Sequence, residues 1–508
     1  MIIKYSPLGS LPRLAWGARI DKGAGYVSVF HGKGVETTPA GFIEGAWNGQ
    51  FVSFDVINST IICGTGAVLA GESIRFFSST DRLSPIFSIV LAESIFVSNS
   101  PVFALSMAEL EPHKTYPFYT YDLLRTWREG LYCLSGKLKT DSAESLRVHF
   151  SAIMTVNTQR SISFDTHALC AAPEDYTSYQ AKLLDGVKQI FENAGDPQRK
   201  HSYKPLAAIS KGYDSTATAV LASQAGCTEA VTYFDSRHPE PYSDSGRENA
   251  SRLGMGCTEY DRWTYLKMTD LAEAEFGLYA TAVSTPMLAM ETQLAGRILV
   301  SGHFGDTIWG KEKSSVCDNL SLTWANHISG LSQIEFRLRV GYLAFAPAYI
   351  GARHNRKTHR IAISDEMQPW SIPGDYDRPI PRRMAEEASL PSNSFGMQKK
   401  ASSHAHFIFE KNFSKKTWAH YRNFVKLSVK GKQRLPCLVW RALAWSQHFV
   451  WKVMNLIHGQ GVSKSSKIKR AFPYILHKCP ILVPWPYMLT FQWSFSLLKN
   501  RYDLPKNE

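Results

Sequence analysis

The 508-residue sequence lacks the hallmarks of several protein classes. Its eight cysteines form no C-x-x-C pair and no zinc-ligand spacing, which argues against a disulfide scaffold or zinc finger and predicts reduced thiols in a cytoplasmic protein. The first residues, MIIKYSPLGS, do not have the character of a secretory signal. With 44% hydrophobic and 20% charged residues, the composition excludes collagen-like and fully disordered chains and suits two or three globular domains.

Acidic residues are scarce in one part of the chain. Residues 401–508 contain 18 Lys and Arg but 3 Asp and Glu, a net charge of +15, whereas residues 1–400 carry a net charge of −2. The same basic stretch holds six of the 13 tryptophans. Positive charge mixed with amphipathic aromatic rings suits an anionic membrane surface better than nucleic acid. A helical subdomain with solvated Lys and Arg explains the pattern equally well, and both alternatives stay open.

The longest uncharged run, residues 479–498, is nearly long enough to span a membrane. Its first half contains Pro480, Pro484 and Pro486, which would break a helix there. We therefore expect this run to lie at an interface or inside a protein core.

Residues 1–173 are predicted to form one β-rich domain. Between residues 17 and 105 the runs GYVSVFHG, GQFVSFDV, STIICGTG and SIFVSNS alternate with Gly, Asn and Ser turns, a pattern typical of antiparallel strands. The stretches MAELEPH and YTYDLLRTWREG are predicted to be helical, and two further strands follow. A long amphipathic helix from Glu174, closed by Gly195, leads into the next domain.

Residues 174–400 are predicted to form an α/β domain, followed by a basic, Trp-rich helical region over 401–508. The strand-like segments LAAIS, EAVTYF and TEYDR alternate with the helix-like segments STATAVLASQAG and SDSGRENASRLG. Each of these helices ends in Gly, where a left-handed cap is expected. Such alternation predicts a parallel sheet, and ligands of parallel sheets bind where strands end and helices begin.

The first strand of this domain runs into Ser210-Lys211-Gly212-Tyr213-Asp214-Ser215-Thr216. This turn directs backbone N–H groups and hydroxyls at an anion, with a helix dipole behind them. Gly212 leaves room for the anion, and Asp214 is a carboxylate of the kind that Mg²⁺ takes beside phosphate oxygens. The motif predicts a pyrophosphate site, although ordinary capped turns use the same residue types.

A second strand-to-turn motif lies downstream, in RILVSGHFGDTIWG at residues 297–310. Its hydrophobic strand ends in a glycine-bearing turn that presents Asp306 before an apolar segment. Two motifs in this order are a stronger signal than either one alone.

These residues resemble the asparagine synthetase family. The turn at 210–216 is similar to that family's pyrophosphate loop, Ser-Gly-Gly-x-Asp-Ser, and the turn at 301–310 to its Ser-Gly-Glu-Gly-Ala-Asp-Glu-Leu-Phe-Gly segment. STPMLAMETQLAG resembles the helix that precedes the second turn. In the first domain, WNGQFVSFDV, DRLSPIF and FVSNSPVFAL resemble the family's glutamine amidotransferase domain more weakly. The resemblance implies a class II amidotransferase β-sandwich, then a Rossmann-like ATP pyrophosphatase domain.

One departure from the family concerns its glutaminase. That activity uses an N-terminal cysteine, whereas this chain begins with Met1 and its first cysteine is Cys63. The expectation is a degenerate amidotransferase domain without glutaminase activity. Ammonia would then arrive free or from a separate glutaminase, or an amine would replace it.

The resemblance also implies roles for individual residues. Asp214 and Asp306 would share Mg²⁺. In the segment at residues 374–402, Lys399 would stabilise charge in the transition state, with Lys400 as the near alternative. His303 replaces a family Glu and would act as a general base, or else it is a hydrogen-bonded loop histidine. The residues expected to contact ATP are Ser210, Lys211, Gly212, Asp214, Ser215, Phe234 and Asp235.

Two neighbouring features carry less weight. Lys211 stands where the family usually has Gly, and its side chain either reaches the phosphates or points into solvent. Asp244 and Glu248 are expected on a solvated helix face and are left out of the site.

The implied function is ATP- and Mg²⁺-dependent, AMP-forming amide synthesis by a carbon–nitrogen ligase. The basic region and a similarity to amidating proteins of surface-polysaccharide pathways favour a carboxylate on a sugar nucleotide or lipid-linked sugar at the inner membrane face. An amine-using ligase like β-lactam synthetase and a non-catalytic scaffold on a decayed synthetase fold are the alternatives. A nucleic-acid partner is not expected, because the sequence shows no tRNA-binding module and no cysteine pair for sulfur transfer.

Overall fold

We describe a computed structural model of the chain. It covers residues 1–114, 116, 122, 135–237, 243–278, 284–311, 316–320, 329–374, 376–397, 413–428 and 485–504. The strands of the N-terminal unit are β1 (Ile2–Pro7), β2 (Trp16–Asp21), β3 (Tyr26–His31), β4 (Glu36–Thr38), β5 (Gly41–Trp47), β6 (Ile62–Ala70), β7 (Ser73–Phe77), β8 (Ile86–Val90), β9 (Ser94–Ser98), β10 (Ser135–Lys139), β11 (Ser145–His149), β12 (Ala152–Asn157) and β13 (Ile162–Thr166).

These strands form two sheets that pack face to face. One sheet has the order β1-β3-β2-β9-β8-β11-β10 and the other β13-β12-β7-β6-β5-β4. Every neighbouring pair is antiparallel except β1 and β3, which run parallel. Trp16 and Val29 of the first sheet and Phe42 and Phe76 of the second share one buried cluster between the sheets. The predicted antiparallel β region is thus confirmed, with one parallel pair at its edge.

The strand predicted for GQFVSFDV, residues 49–56, is wrong. The chain makes a turn there and continues into a short 3-10 helix, Val56–Asn58. Phe51 and Phe54 instead place their rings 5.8 and 5.7 Å from that of Trp47, at the end of β5. Burial of these aromatic rings in a turn produced the hydrophobic pattern that resembled a strand.

The helix predicted for MAELEPH is also misplaced. Helix α1 is Pro101–Met107, begins with Ser100 accepting a hydrogen bond from the Phe103 N–H, and ends where that prediction started. Glu109 has a φ of 55°, a left-handed conformation that stops the helix. The predicted helix YTYDLLRTWREG lies almost entirely outside the described residues.

The second unit begins with α2 (Tyr176–Ala194), the long helix expected from the sequence, which Gly195 follows. The remaining helices and strands, in chain order, are β14 (Lys204–Ala208), α3 (Tyr213–Gln224), β15 (Glu229–Phe234), α4 (Arg247–Arg252), β16 (Gly256–Asp261), α5 (Glu291–Leu294), β17 (Arg297–Val300), α6 (Gly305–Ile308), α7 (Ser329–Val340), β18 (Leu343–Phe345), α8 (Asn355–Ala362), α9 (Pro379–Glu387), α10 (Lys415–Ser428) and α11 (Trp485–Leu498).

The strands of this unit form the predicted parallel sheet, in the order β16-β15-β14-β17-β18. Gly226 and Gly254, expected as left-handed caps, have φ angles of 94° and 74°. The strand order reverses between β14 and β17, so the connections leaving these two neighbours diverge. In parallel α/β sheets a crevice for ligands opens at such a reversal, outside the carboxyl ends of the strands.

The two units pack through a buried ion pair. Arg337 of α7 donates to both carboxylate oxygens of Glu44 of β5, over 2.6 and 2.9 Å, and both side chains are almost fully buried. Glu44 also accepts a hydrogen bond from Thr65, over 2.7 Å. The paired charges and the added hydrogen bond offset much of the cost of burying them.

Helix α11 packs into the same hydrophobic core as the parallel-sheet unit. Its Trp493 is completely buried, and beyond the helix the Tyr502 ring stacks on Phe103 of α1 with 5.1 Å between centroids. The described part of the uncharged run 479–498 is therefore core-packed, one of the two placements expected. None of the described helices combines the length and hydropathy needed to cross a membrane.

Candidate functional site

The two glycine-bearing turns singled out in the sequence meet at the reversal of strand order. The first follows β14 and enters α3 through Gly212, and the second follows β17 and enters α6 through Phe304. Because β14 and β17 are hydrogen-bonded neighbours, their carboxyl ends lie side by side. The structure thus brings residues 210–216 and 301–306 to one edge of the sheet.

The first turn forms a compact ring of hydroxyl groups. The Oγ atoms of Ser210 and Ser215 are 2.8 Å apart, and the Gly212 N–H donates to Ser210 Oγ over 3.1 Å. Thr216 Oγ1 donates to the Ser210 carbonyl over 3.0 Å. These bonds hold the N-terminus of α3, with its partial positive charge, against the two serine hydroxyls.

The second turn lies against this N-terminus at glycine residues. A Cβ atom on Gly302 would lie 2.5 Å from the Ser215 amide nitrogen, and one on Gly305 would lie 2.5 Å from Asp214 Cγ. Side chains at these positions would push the turns apart. Phe304 between them is buried with a φ of 65°, which turns the chain sharply enough to start α6.

The carboxylates of Asp214 and Asp306 act on the same cation, Arg378. Arg378 donates a hydrogen bond to Asp214, and its side chain is largely buried. Burial alone would lower the pKa of Arg378, but the Asp214 carboxylate raises it, with a smaller contribution from Asp306. Arg378 is therefore firmly charged and belongs to the site, although nothing in the sequence pointed to it.

Two tyrosines and a glycine support the outer side of the first turn. The ring of Tyr213 lies 5.0 Å from that of Tyr376, and its hydroxyl accepts a hydrogen bond from Arg382 over 2.6 Å. Gly396 packs flat on Tyr213, since a Cβ there would lie 2.3 Å from the ring. The Gly396 N–H donates to the Lys211 carbonyl over 2.8 Å.

The predicted lysines, Lys399 and Lys400, lie outside the described residues. Lys211 itself is half-buried. Its backbone is fixed on both sides, since its N–H donates to the Asp244 carbonyl over 3.1 Å and its carbonyl accepts from Gly396. The structure therefore holds the residue after Ser210 rigidly in the turn.

Asp244 corrects the expectation of a solvated helix face. It precedes α4 instead of lying on it, and only 6% of its surface is exposed. Glu248 does lie on α4 and forms an exposed ion pair with Arg252 over 2.9 Å. The two residues do not share a helix face, because the helix begins at Arg247, four residues after the start of the predicted segment at residue 243.

Phe234 and Asp235 lie at the carboxyl end of β15, next to the first turn. Phe234 is 38% exposed at the sheet edge. Asp235 accepts a hydrogen bond from the Trp263 indole over 2.7 Å and lies 3.7 Å from Arg262. The Arg237 guanidinium covers the Trp263 ring at 3.9 Å. The hydrogen bond to Asp235 thus fixes the orientation of the Trp263 ring near the first turn.

His303 lies in the second turn, held by a hydrogen bond between its Nδ1 and Ser301 Oγ over 2.8 Å. This contact fixes the direction of the imidazole ring. Among the described residues no cluster of three or more His, Cys, Asp or Glu side chains gathers in a metal-binding arrangement.

Comparison with known proteins gives no family for this chain. No model of a known protein family matches it, and a search of the curated proteins found no match either.

Proposed function

We propose that the protein is an ATP-dependent, AMP-forming ligase that joins a carboxylate to ammonia or an amine. The observation that supports this most directly is the contact of Gly302 and Gly305 with the Asp214-Ser215 turn at the reversal of strand order. In this proposal the second unit is an ATP pyrophosphatase domain and the sandwich is an amidotransferase-type domain. The reaction activates the carboxylate as an acyl-adenylate and releases pyrophosphate, and the nitrogen nucleophile then displaces AMP.

The first turn fits the triphosphate of ATP. The Ser210 and Ser215 hydroxyls and the N-terminus of α3 supply donors, and they converge where Gly212 has no side chain. A Cβ at Gly212 would lie 3.3 Å from Ser210 Oγ and would narrow this opening. Phe234 and Asp235 would then border the adenine and ribose, and Lys211 would add positive charge to the turn.

The acidic residues fit Mg²⁺. Asp214 and Asp306 are two carboxylates, the small number that magnesium sites use when phosphate oxygens complete the coordination. When bound, the ion would neutralise charge on the triphosphate. Lys399, or its neighbour Lys400, would stabilise the negative charge that develops as pyrophosphate leaves, while His303 would accept a proton from the attacking nitrogen.

The nitrogen donor is proposed to be free ammonia, ammonia from a separate glutaminase, or an amine. Cys63, the first cysteine, does not suit a glutaminase nucleophile. It lies in β6, completely buried, and burial raises the pKa of its thiol to about 12. A thiol in this state is inert at neutral pH.

The proposal is tested by measuring AMP and pyrophosphate release from ATP and Mg²⁺ over a panel of carboxylates. The panel contains aspartate and nucleotide-linked uronic acids, with ammonium or glutamine supplied separately. We expect release that depends on a carboxylate and is accelerated by ammonium but not by glutamine. If no carboxylate of the panel supports AMP and pyrophosphate release and ATP binding is not detectable, a non-catalytic scaffold would be favoured.

A variant pair links this activity to the site. Asp214→Asn removes one carboxylate and should reduce pyrophosphate release about 100-fold or more, the scale of losing a preorganised electrostatic contact. Asp185→Asn is the matched control, because Asp185 is exposed on α2 and bonds only Gln189 among the partners shown. Unchanged turnover in Asp214→Asn with an intact fold would contradict the proposal.

A further inference from the structure

Helix α10 carries a line of positive side chains on its outer face, which we call the basic stripe: Lys415, Lys416, Arg422 and Lys426. All four are exposed, whereas Thr417 and Tyr421 on the opposite face are buried. Residues 415, 422 and 426 are spaced by seven and four positions, so they follow one another along a single side of the helix.

The basic stripe has no counter-charge in the described structure. None of its four side chains forms an ion pair with a described residue, and the Arg422 guanidinium lies 5.9 Å from the centroid of the Trp418 ring. Some cations elsewhere are paired, as Arg339 is with Glu275 and Glu291 and Arg383 is with Glu366 and Glu387. A line of unopposed cations attracts a partner that supplies negative charge.

The surrounding sequence extends this charge. Residues 411–502 contain 17 Lys and Arg and no Asp or Glu. The same span contains six tryptophans, three of them at positions 440, 445 and 451, and Leu427 beside the basic stripe is 64% exposed. Aromatic and aliphatic side chains next to Lys and Arg match the boundary between lipid headgroups and acyl chains better than they match a nucleic-acid backbone.

We propose that the basic stripe of α10 docks on an anionic lipid surface. We expect this binding to be mainly electrostatic, because the uncharged, apolar helix α11 packs inside the protein core, where Leu489 and Trp493 are buried. This surface lies on a different part of the chain from the two turns of the candidate site, and the inference does not depend on the proposed reaction.

The test compares sedimentation of the full chain with vesicles of phosphatidylcholine alone and with about 30% phosphatidylserine added. We expect binding to the anionic vesicles only, weakening as salt rises because the surface charges are screened. The triple variant Lys415→Gln, Arg422→Gln, Lys426→Gln should bind about 100-fold more weakly, since each basic residue near such a surface is worth about fivefold.

A second triple variant is the matched control. Lys33→Gln, Lys137→Gln and Lys188→Gln removes the same charge from exposed positions outside α10 and should bind like the wild type. If both triple variants lose vesicle binding equally, the net charge of the protein explains the binding and the proposal is overturned. Equal vesicle binding by all three proteins would also overturn it. Binding of the wild type to random-sequence RNA but not to anionic vesicles would also overturn it, in favour of a nucleic-acid surface.

Discussion

Arg378 and Asp214 form a largely buried ion pair at the centre of the candidate site, although 164 positions separate them in the chain. Arg378 is therefore paired with one of the two carboxylates that are proposed to hold a metal ion. A guanidinium there keeps the acidic residues neutralised and the turn compact. It also means that a divalent cation and Arg378 would compete for Asp214.

This competition predicts the effect of Arg378→Met on metal binding. Removing the guanidinium should tighten Mn²⁺ binding to the protein without ATP at least about fivefold, because a unit charge at 4 Å contributes about 1 to 4 kcal/mol. Electron paramagnetic resonance of free Mn²⁺ measures this directly. Arg378→Lys keeps the positive charge and should bind Mn²⁺ like the wild type. Unchanged Mn²⁺ affinity in Arg378→Met would argue that Asp214 and Asp306 do not bind the metal ion.

The close packing of the two turns predicts the effect of Gly305→Ala. The added Cβ would lie 2.5 Å from Asp214 Cγ, so the turns must separate. Overpacking of this kind costs about 1 to 3 kcal/mol, and we expect a lower melting temperature together with at least tenfold weaker ATP binding. Calorimetry measures both quantities. Gly25→Ala is the control, since a Cβ there meets no atom within 4 Å; equal effects in both variants would argue against the packing role.

The contact between His303 and Ser301 predicts a difference between two steps of the proposed reaction. His303→Ala should slow amide formation about 100-fold, the usual contribution of a general base, while slowing pyrophosphate release much less. Ser301→Ala removes the 2.8 Å contact that orients the ring and should have a smaller effect in the same direction. Single-turnover assays resolve the two steps. Equal losses in both would assign His303 a structural role.

Glu335 predicts a pH dependence of stability. It is buried in α7, and burial raises its pKa to about 7, although hydrogen bonds from Ser100 and Tyr502 act in the opposite direction. The folded state therefore holds a proton that the unfolded state releases above about pH 4.5. Stability contributed by this proton is present at low pH and is lost as pH rises from about 4.5 to about 7, on the order of 3 kcal/mol.

Replacing Glu335 by Gln removes this titration. The fall in melting temperature between pH 5 and pH 7.5 should be clearly smaller in Glu335→Gln than in the wild type. Glu248→Gln serves as the control, because Glu248 is exposed on α4 and pairs only with Arg252 among the contacts shown. If Glu335→Gln and the control follow the same pH profile, the buried carboxyl is not the group responsible.

Local sequence signals predicted the elements that depend on short-range interactions. Helix α2, the strand Glu229–Phe234 and the left-handed Gly226 and Gly254 all follow from periodicity and capping within one or two turns of chain. The two glycine turns at 210–216 and 301–306 were also found, and strand–helix alternation was enough to place them at one edge of a parallel sheet.

Long-range contacts were the part that sequence alone did not predict. Arg378 belongs to the site because the segment after α8 packs back against the first turn, where Arg378 contacts Asp214. The sequence around Arg378 does not predict this packing. Asp244 is buried because its backbone closes on Lys211, whereas its position before Glu248 suggested an exposed helix. The turn containing Phe51 and Phe54 looked like a strand because hydrophobicity reports burial without reporting conformation.

The stacking of Tyr502 on Phe103 has a consequence for the nascent chain. Phe103 leaves the ribosome about 400 residues before Tyr502, a delay on the order of 20 to 80 s at typical rates of synthesis. Until Tyr502 is synthesised, the Phe103 ring of α1 lacks its stacking partner and Glu335 lacks the hydrogen bond that Tyr502 donates. We therefore expect the nascent chain to expose a hydrophobic surface of the kind that chaperones bind, and a stall in the basic region to leave that surface uncovered.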